Sequence, residues 1–414
     1  MTEQYDIAVV GAGPGGAASA YYVSAMGFST ALLDKGKFPR RKICGDAVTI
    51  GAQKHLKNMG ILQKIVDERK GIWAAVGGIV SPSGLHYIGN SADELGAPLV
   101  LSVKREILDE KIVRAAEKKG AELKENFHVI DVLYDEASMR WRIISSERDE
   151  IVATMLIIAD GASSLLARSL GIVHRPAEAV CSSVYIKAGT HSFQSDGIVY
   201  YPDFLLPGYA ALFREADGDL VFCCYIIPGG AAKHADLHDL HTKVLREYDP
   251  VLSAIGPDAD IEKMKSAPLR LGGEERTYDK QVLVVGDAAG HIDPLTGEGI
   301  QYAMEAGKLA ADTIGEAFAK KDFTARFLKT YQDRWIKSFG ADFKWSARMA
   351  SAAAKRPRFL DAFASLSNKK GDAFMARWGK IMTGAEPKRN FFLPNLSLPL
   401  AAEVLRLRRS REKG

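Results

Sequence analysis

No run of 18 or more uninterrupted apolar residues occurs in the 414-residue chain, so a membrane-spanning helix is not expected. Cysteine is scarce. Cys44, Cys181, Cys223 and Cys224 make no Cys-x-x-Cys pair and have no histidine at ligand spacing. This argues against a zinc site or any other metal centre and makes a reducing cytosol the simplest compartment. Internal repeats and low-complexity linkers are absent, and no recognised module for nucleic acid accompanies the basic residues. The apolar opening "DIAVVGAGPGGAASAYYVSAMG" lacks the leading positive charges of a secretory signal and is broken by glycines.

What is present is the composition of an ordinary folded protein, 47% hydrophobic and 26% charged, long enough for two or three domains with a large core. Its net charge of +4 is unevenly placed. Residues 320–414 hold 22 Lys/Arg against 8 Asp/Glu, so the body of the chain is acidic and its last quarter basic. A basic tail of this kind reads either as a solvated helical face or as a contact for an anionic surface such as lipid headgroups.

"YDIAVVGAGPGGAASAYYVSAMGFSTALLDK" reads as strand, tight turn, helix, strand. Residues 5–10 are apolar and β-branched, as a buried parallel strand requires. Gly11, Gly13 and Gly16 follow in a GxGxxG pattern, with Pro14 and Gly15 between them. The first glycine permits the turn, the second lets backbone approach a pyrophosphate, and the third allows the helix to pack closely. The free N–H groups of the helix start suit the phosphates. Asp34, followed by Lys35, ends the next strand at the spacing of an acid that bonds a ribose hydroxyl. Together these features predict a dinucleotide site.

Two distant segments narrow the choice. "MLIIADGASSLLARSLG" is an apolar strand ending in Asp160-Gly161, and "KQVLVVGDAAGHIDPLTGEGIQYAMEAGKLAADTI" is one ending in Gly286-Asp287. A loop with Pro294, Gly297 and Gly299 follows and enters an Ala-rich helix at Ile300. With "FPRRKICGD" after the second strand, these segments resemble the FAD-dependent family of p-hydroxybenzoate hydroxylase, and within it the geranylgeranyl reductase branch. The match runs in order from about residue 5 to 320.

The resemblance implies an α/β fold: a Rossmann-like FAD-binding domain (1–72, 100–175 and 275–325), a mixed β-sheet substrate domain (73–99 and 176–274) and a C-terminal helical region with a basic tail (326–414). It further implies that Gly11, Gly13 and Gly16 cradle the FAD pyrophosphate and that Asp34 holds the adenosine ribose. Asp287 would bond the ribityl–pyrophosphate region, and the Pro294–Gly299 loop would lie against the isoalloxazine. Arg105 would reach the cofactor, its other reading being a surface helix residue. Asp160 would link FAD and a reduced nicotinamide, NAD(P)H being the expected electron donor. Arg40, Arg41 and Lys42 would face the FAD phosphates or the entering nicotinamide.

In the reductase branch a cysteine after the second strand lies near flavin and substrate, and Cys44, followed by Gly45, falls on it. Saturating a C=C bond takes a hydride and a proton. The Cys44 thiol is either that proton's donor, part of the pocket floor, or a small buried hydrophobe. Asp46 is a second acid or a turn former. Cys181, Cys223 and Cys224 read as core.

The branch usually carries a YxWxFP motif on its substrate sheet. The aligned segment here is Tyr209-Ala210-Ala211-Leu212-Phe213-Arg214, with Ala211 in place of tryptophan and Arg214 in place of proline. Losing the tryptophan is expected to enlarge or reshape the cavity lined by Tyr209, Ala211, Phe213 and His291. No Trp-x-Trp occurs, which argues against a flavin halogenase.

Phe327, Tyr331, Trp335, Phe339 and Phe343 recur at helical spacing and are expected to cover the substrate cavity. Residues 388–414 join two phenylalanines, two prolines and a basic amphipathic segment that suits peripheral contact with the inner face of a membrane. The expected activity is reduction of prenyl-type C=C bonds in a hydrophobic substrate. The alternatives are hydroxylation of an aromatic or polyketide-like compound by an FAD-dependent monooxygenase, and a flavoprotein that binds a lipid or partner without turnover.

Overall fold

The computed structural model describes residues 2–90, 98–227 and 236–411, with side chains to residue 409. Parts of both ranges expected for the substrate domain, and the end of the tail, lie outside the described residues.

The first sheet has a parallel centre in the order Val282–Val284, Glu150–Ile158, Glu3–Val10, Thr30–Leu33, Ala121–Lys124. A hairpin, Val129–Asp135 with Arg140–Ser145, pairs alongside Glu150–Ile158. The register decides where the site forms. Val10 is level with Leu33 and with Ile158, and Ile158 is level with Val284. Gly11, Asp34, Asp160 and Gly286 therefore leave the sheet together at its carboxyl edge, where ligands bind in open α/β sheets. Helices Pro14–Ala25 and Ile300–Lys320 pack against each other on one face. Small residues permit this: a Cβ on Gly307 would come within 2.7 Å of the Gly15 carbonyl oxygen.

The second sheet runs Lys265–Leu269, Ala179–Ile186, Leu220–Ile226, Tyr209–Arg214, Gly197–Tyr200, Val76–Val80, His86–Asn90. All its pairings are antiparallel except Gly197–Tyr200 with Val76–Val80. Alternation along each strand divides its faces. Ala210, Leu212, Phe222 and Cys224 join a core under helices Leu237–Arg246 and Asp249–Ile255. Tyr209, Ala211, Phe213, Cys223 and Tyr225 point the other way. A three-stranded sheet of Ala47–Thr49, Val100–Ser102 and Ile72–Trp73 lies where the chain crosses between the two large sheets.

The aromatic ladder expected over the substrate cavity packs elsewhere. Tyr331, Trp335, Phe339 and Phe343 are buried in the core of the first domain, with Phe327 half-buried against it. Phe339 and Phe343 contact the Tyr302 ring at 5.2 and 4.9 Å. The second sheet is flanked instead by the later C-terminal helices: Ile79 and Tyr87 share a core with Phe363, Phe374, Phe391, Leu396 and Leu400.

Candidate functional site

Gly11 adopts φ +97°, and a Cβ there would meet the Ala159 carbonyl oxygen at 2.3 Å. A Cβ on Gly16 would lie 1.8 Å from the Gly11 carbonyl oxygen. These two glycines are demanded by the turn itself. At Gly13 a Cβ would meet no protein atom within 4 Å. Gly13 is also the N-cap of helix Pro14–Ala25 and gives that helix no side-chain cap. Its surroundings are an N–H cradle of the kind a pyrophosphate fills.

Asp34 is held firmly. Its Oδ2 accepts from the Ala12 N–H at 2.8 Å and from Arg40 at 3.3 Å, and its Oδ1 from the Gly36 N–H at 2.8 Å. Arg40 also approaches Asp109 Oδ2 at 3.7 Å. Lys35 is exposed beside them. Among the described residues, Arg40 Nε, Arg41 Nη2 and Asp160 Oδ1 are buried with no hydrogen-bond partner. Burial raises the Asp160 carboxyl above the usual aspartate range. Gly161 follows with φ +89°. Half-buried Asp287 sits in the short helical turn after the strand, its Oδ1 3.5 Å from where a Gly299 Cβ would stand. Open cradle, ribose-level acid and orphaned polar atoms together fit a dinucleotide such as FAD.

Arg105 is not a surface residue. It is buried and bidentate with Asp109, Nε to Oδ1 at 2.7 Å and Nη2 to Oδ2 at 2.8 Å. Arg41 turns away from the glycine turn: it pairs with Glu262, and its guanidinium lies over the Tyr185 ring at 4.5 Å.

The loop expected to face the isoalloxazine is tied to the second sheet. Tyr209 donates its hydroxyl to the Thr296 carbonyl at 2.5 Å, and Tyr225 to the Pro294 carbonyl at 3.0 Å. Gly297 has φ +65°, and a Cβ there would touch the Tyr225 ring at 3.3 Å. Beneath the turn, Asp293 accepts from the Leu295 and Thr296 N–H groups and from Ser346. Burial pushes the neighbouring Glu298 carboxyl up to about 7.

Ala211 is buried, level with Cys223 in register, and a Cβ on Gly45 would stand 2.8 Å from Cys223 Sγ. The Cys44–Asp46 segment comes down onto Cys223 beside Ala211. Cys223 consequently belongs to this face rather than to the core beneath the sheet. Half-buried Phe213 remains on the same face. His291 does not join it. It is fully buried, accepts from the Gly286 N–H through Nδ1 at 3.2 Å, and packs on Trp335 and Phe339. Burial lowers its pKa to about 3, so it is a neutral core histidine.

Cys44 is half-buried, and its dense surroundings push the thiol up to about 12, against the pull of Arg105. The thiol therefore stays protonated near neutral pH rather than standing as a thiolate. Asp46 is a non-glycine residue at φ +56° and is fully buried. Tyr185 donates to its Oδ2 at 2.5 Å, while Oδ1 has no partner among the described residues.

Sequence reasoning missed the acid beside it. Glu215 lies at the end of strand Tyr209–Arg214, where the charge reads as part of an ordinary turn. Its Oε1 accepts from Ser102 at 2.8 Å, and Ser102 pairs in register with Ala47. Glu215 is 1% exposed and its Oε2 lacks a partner among the described residues. Burial raises Asp46 to about 7 and Glu215 well above its usual range, the charge of Asp46 adding to the latter. Two such carboxyls keep a proton between them near neutrality.

The described residues contain no cluster of His, Cys, Asp and Glu able to hold a metal ion, and no helix among them is long and apolar enough to cross a membrane.

The family model for the FAD binding domain matches residues 4–334. The chain is 46% identical to conditioned medium factor receptor 1 of Dictyostelium discoideum over 97% of its own length and 81% of that protein's. It is 28% identical to digeranylgeranylglycerophospholipid reductase 2 of Methanopyrus kandleri, covering 83% of this chain and 85% of that one. A geranylgeranyl bacteriochlorophyll reductase-like structure from Thermoplasma acidophilum superposes with a TM-score of 0.78 at 20% identity, over 94% of this chain and 99% of the other. Its sheets, loop and carboxyl-edge residues place the chain in the p-hydroxybenzoate hydroxylase-like fold; it belongs to the FAD binding domain family of flavin-dependent oxidoreductases.

Proposed function

We propose that this protein reduces carbon–carbon double bonds of a hydrophobic, prenyl-type substrate, with NAD(P)H or another donor restoring the reduced cofactor. The observation that carries this reading is the face of the second sheet, where Tyr209 bonds the Pro294–Gly299 loop at Thr296 and the segment carrying Cys44 closes on Cys223, with the buried acid Asp46 two residues on. Gly11, Gly13, Gly16, Asp34 and Asp160 would hold FAD, which when bound supplies the hydride. Arg105 and Asp109 form a fixed buried pair beside Cys44, orienting the segment that carries it. Cys44 Sγ holds a proton at neutral pH, and its surroundings disfavour the free thiolate. Asp46 and Glu215 hold a further proton behind it. The aromatic and small side chains on the sheet face keep water from the reacting carbons.

The test is anaerobic. FAD-loaded protein, reduced with dithionite, is mixed with digeranylgeranylglycerophospholipid, the named substrate class of the archaeal relative. Flavin reoxidation together with a product heavier by two hydrogens per bond supports the proposal. No reoxidation without oxygen, but ligand-dependent oxygen uptake with a hydroxylated product, would replace it with the monooxygenase reading. The relative named as a receptor favours a second reading, ligand binding without turnover. Tight binding with no change in flavin spectrum under either condition would support that one.

A further inference from the structure

The last helix, Pro394–Arg411, turns an apolar stripe outward. Leu396 and Leu400 are buried in the core shared with Phe363 and Phe391. Glu403, on the same buried side, is gripped by Lys369 at 2.7 Å and Arg406 at 2.7 Å and bonded by Ser365 at 2.6 Å. This clamp sets the rotation of the helix about its axis. Leu398 and Leu405, two turns apart, are consequently 66% and 55% exposed. Phe392 and Leu393 extend the stripe just before the helix, at 44% and 43% exposed.

Cations flank the stripe at both ends. Phe392 packs on Trp345 at 5.1 Å, and the Arg348 guanidinium lies over the far ring at 4.7 Å. Arg377 reaches Asn395, the second residue of the helix, at 3.4 Å. Arg408 and Arg409 are exposed at the other end. Among the described residues none of Arg348, Arg377, Arg408 and Arg409 forms an ion pair with a carboxylate.

We infer that this face docks onto an anionic lipid surface, with Phe392, Leu393, Leu398 and Leu405 entering the acyl boundary and the arginines meeting headgroups. A protein partner of ordinary composition has no need of unpaired guanidinium groups at both ends of an apolar stripe. A bilayer interface, apolar beneath and anionic above, matches both features at once. Docking of this kind is independent of the reaction catalysed.

The experiment uses the full-length, FAD-loaded protein in flotation with vesicles of phosphatidylcholine alone or mixed with phosphatidylglycerol. Binding to the mixed vesicles that weakens in high salt, and weaker binding to phosphatidylcholine, is expected. Leu398→Glu with Leu405→Glu should abolish flotation. Arg408→Gln with Arg409→Gln should weaken it about tenfold or more, from the usual attraction per basic residue. Flavin absorbance and circular dichroism check that each variant folds. Unchanged flotation in the double leucine variant would overturn the inference. So would a wild-type dimer in sedimentation that the leucine variant dissociates, with no vesicle binding by either.

Discussion

The Lys388 ammonium lies 3.3 Å from Asp293 Oδ2 with both side chains fully buried, joining the C-terminal region to the turn that carries the Pro294–Gly299 loop. The lysine also donates to the Met382 carbonyl at 3.4 Å, and its backbone N–H to Asp342. Removing one partner of a buried pair leaves the other uncompensated. Lys388→Met is expected to cost about 3–5 kcal/mol in urea unfolding and to weaken FAD binding, because Asp293 shapes the turn. Adding Asp293→Asn should recover part of the stability. A double variant no more stable than the single one would show that the pair's charge is not what holds the turn.

Gly13 and Gly16 should separate binding from folding. Gly16→Ala drives a methyl into the Gly11 carbonyl and is expected to prevent stable folding. Gly13→Ala meets no protein atom and should fold with an unchanged melting temperature in the apo form. Its FAD affinity, read by quenching of flavin fluorescence, should fall at least tenfold. Equal affinity to wild type would move the pyrophosphate elsewhere.

The Cys44 thiol, raised to about 12, should react slowly with iodoacetamide at pH 8 in the native protein and rapidly once unfolded. Cys44→Ser should retain FAD while product formation drops about tenfold or more, the scale of a lost general acid. Full activity in that variant would leave the thiol a packing role alone.

Asp46 and Glu298 are both raised to about 7, from unfolded values of about 4. Between those limits the folded state binds more protons than the unfolded one. Stability should therefore fall as pH rises from about 4 to about 7, with Glu215 and Asp160, also raised by burial, adding to the decline. Glu403, lowered to about 2, acts in the opposite sense, but only below the usual glutamate range. Comparing urea midpoints at pH 5 and pH 8, Asp46→Asn with Glu298→Gln should make the decline shallower. Parallel declines in variant and wild type would assign it to other groups.

The nucleotide half of the site was legible in the linear sequence because its parts are local. A glycine turn, the helix behind it and an acid at the end of a strand each depend on a few neighbouring residues, and the parallel sheet aligns their ends by register. Family resemblance, rather than local pattern, marked "ICGD" and the Pro294–Gly299 loop as site segments. Tertiary structure decided what depended on distant chain. Glu215 meets Asp46 only because strand Val100–Ser102 brings Ser102 between them. His291 and the aromatic ladder from Phe327 to Phe343 carry the spacing of pocket residues, but the helix Ile300–Lys320 offered them a larger apolar surface to bury. That Gly45 closes on Cys223, the register partner of Ala211, was likewise settled by tertiary structure. A helical period shows that Pro394–Arg411 has two faces. Only the buried Glu403 clamp, built from a neighbouring helix, decides which of them meets the solvent.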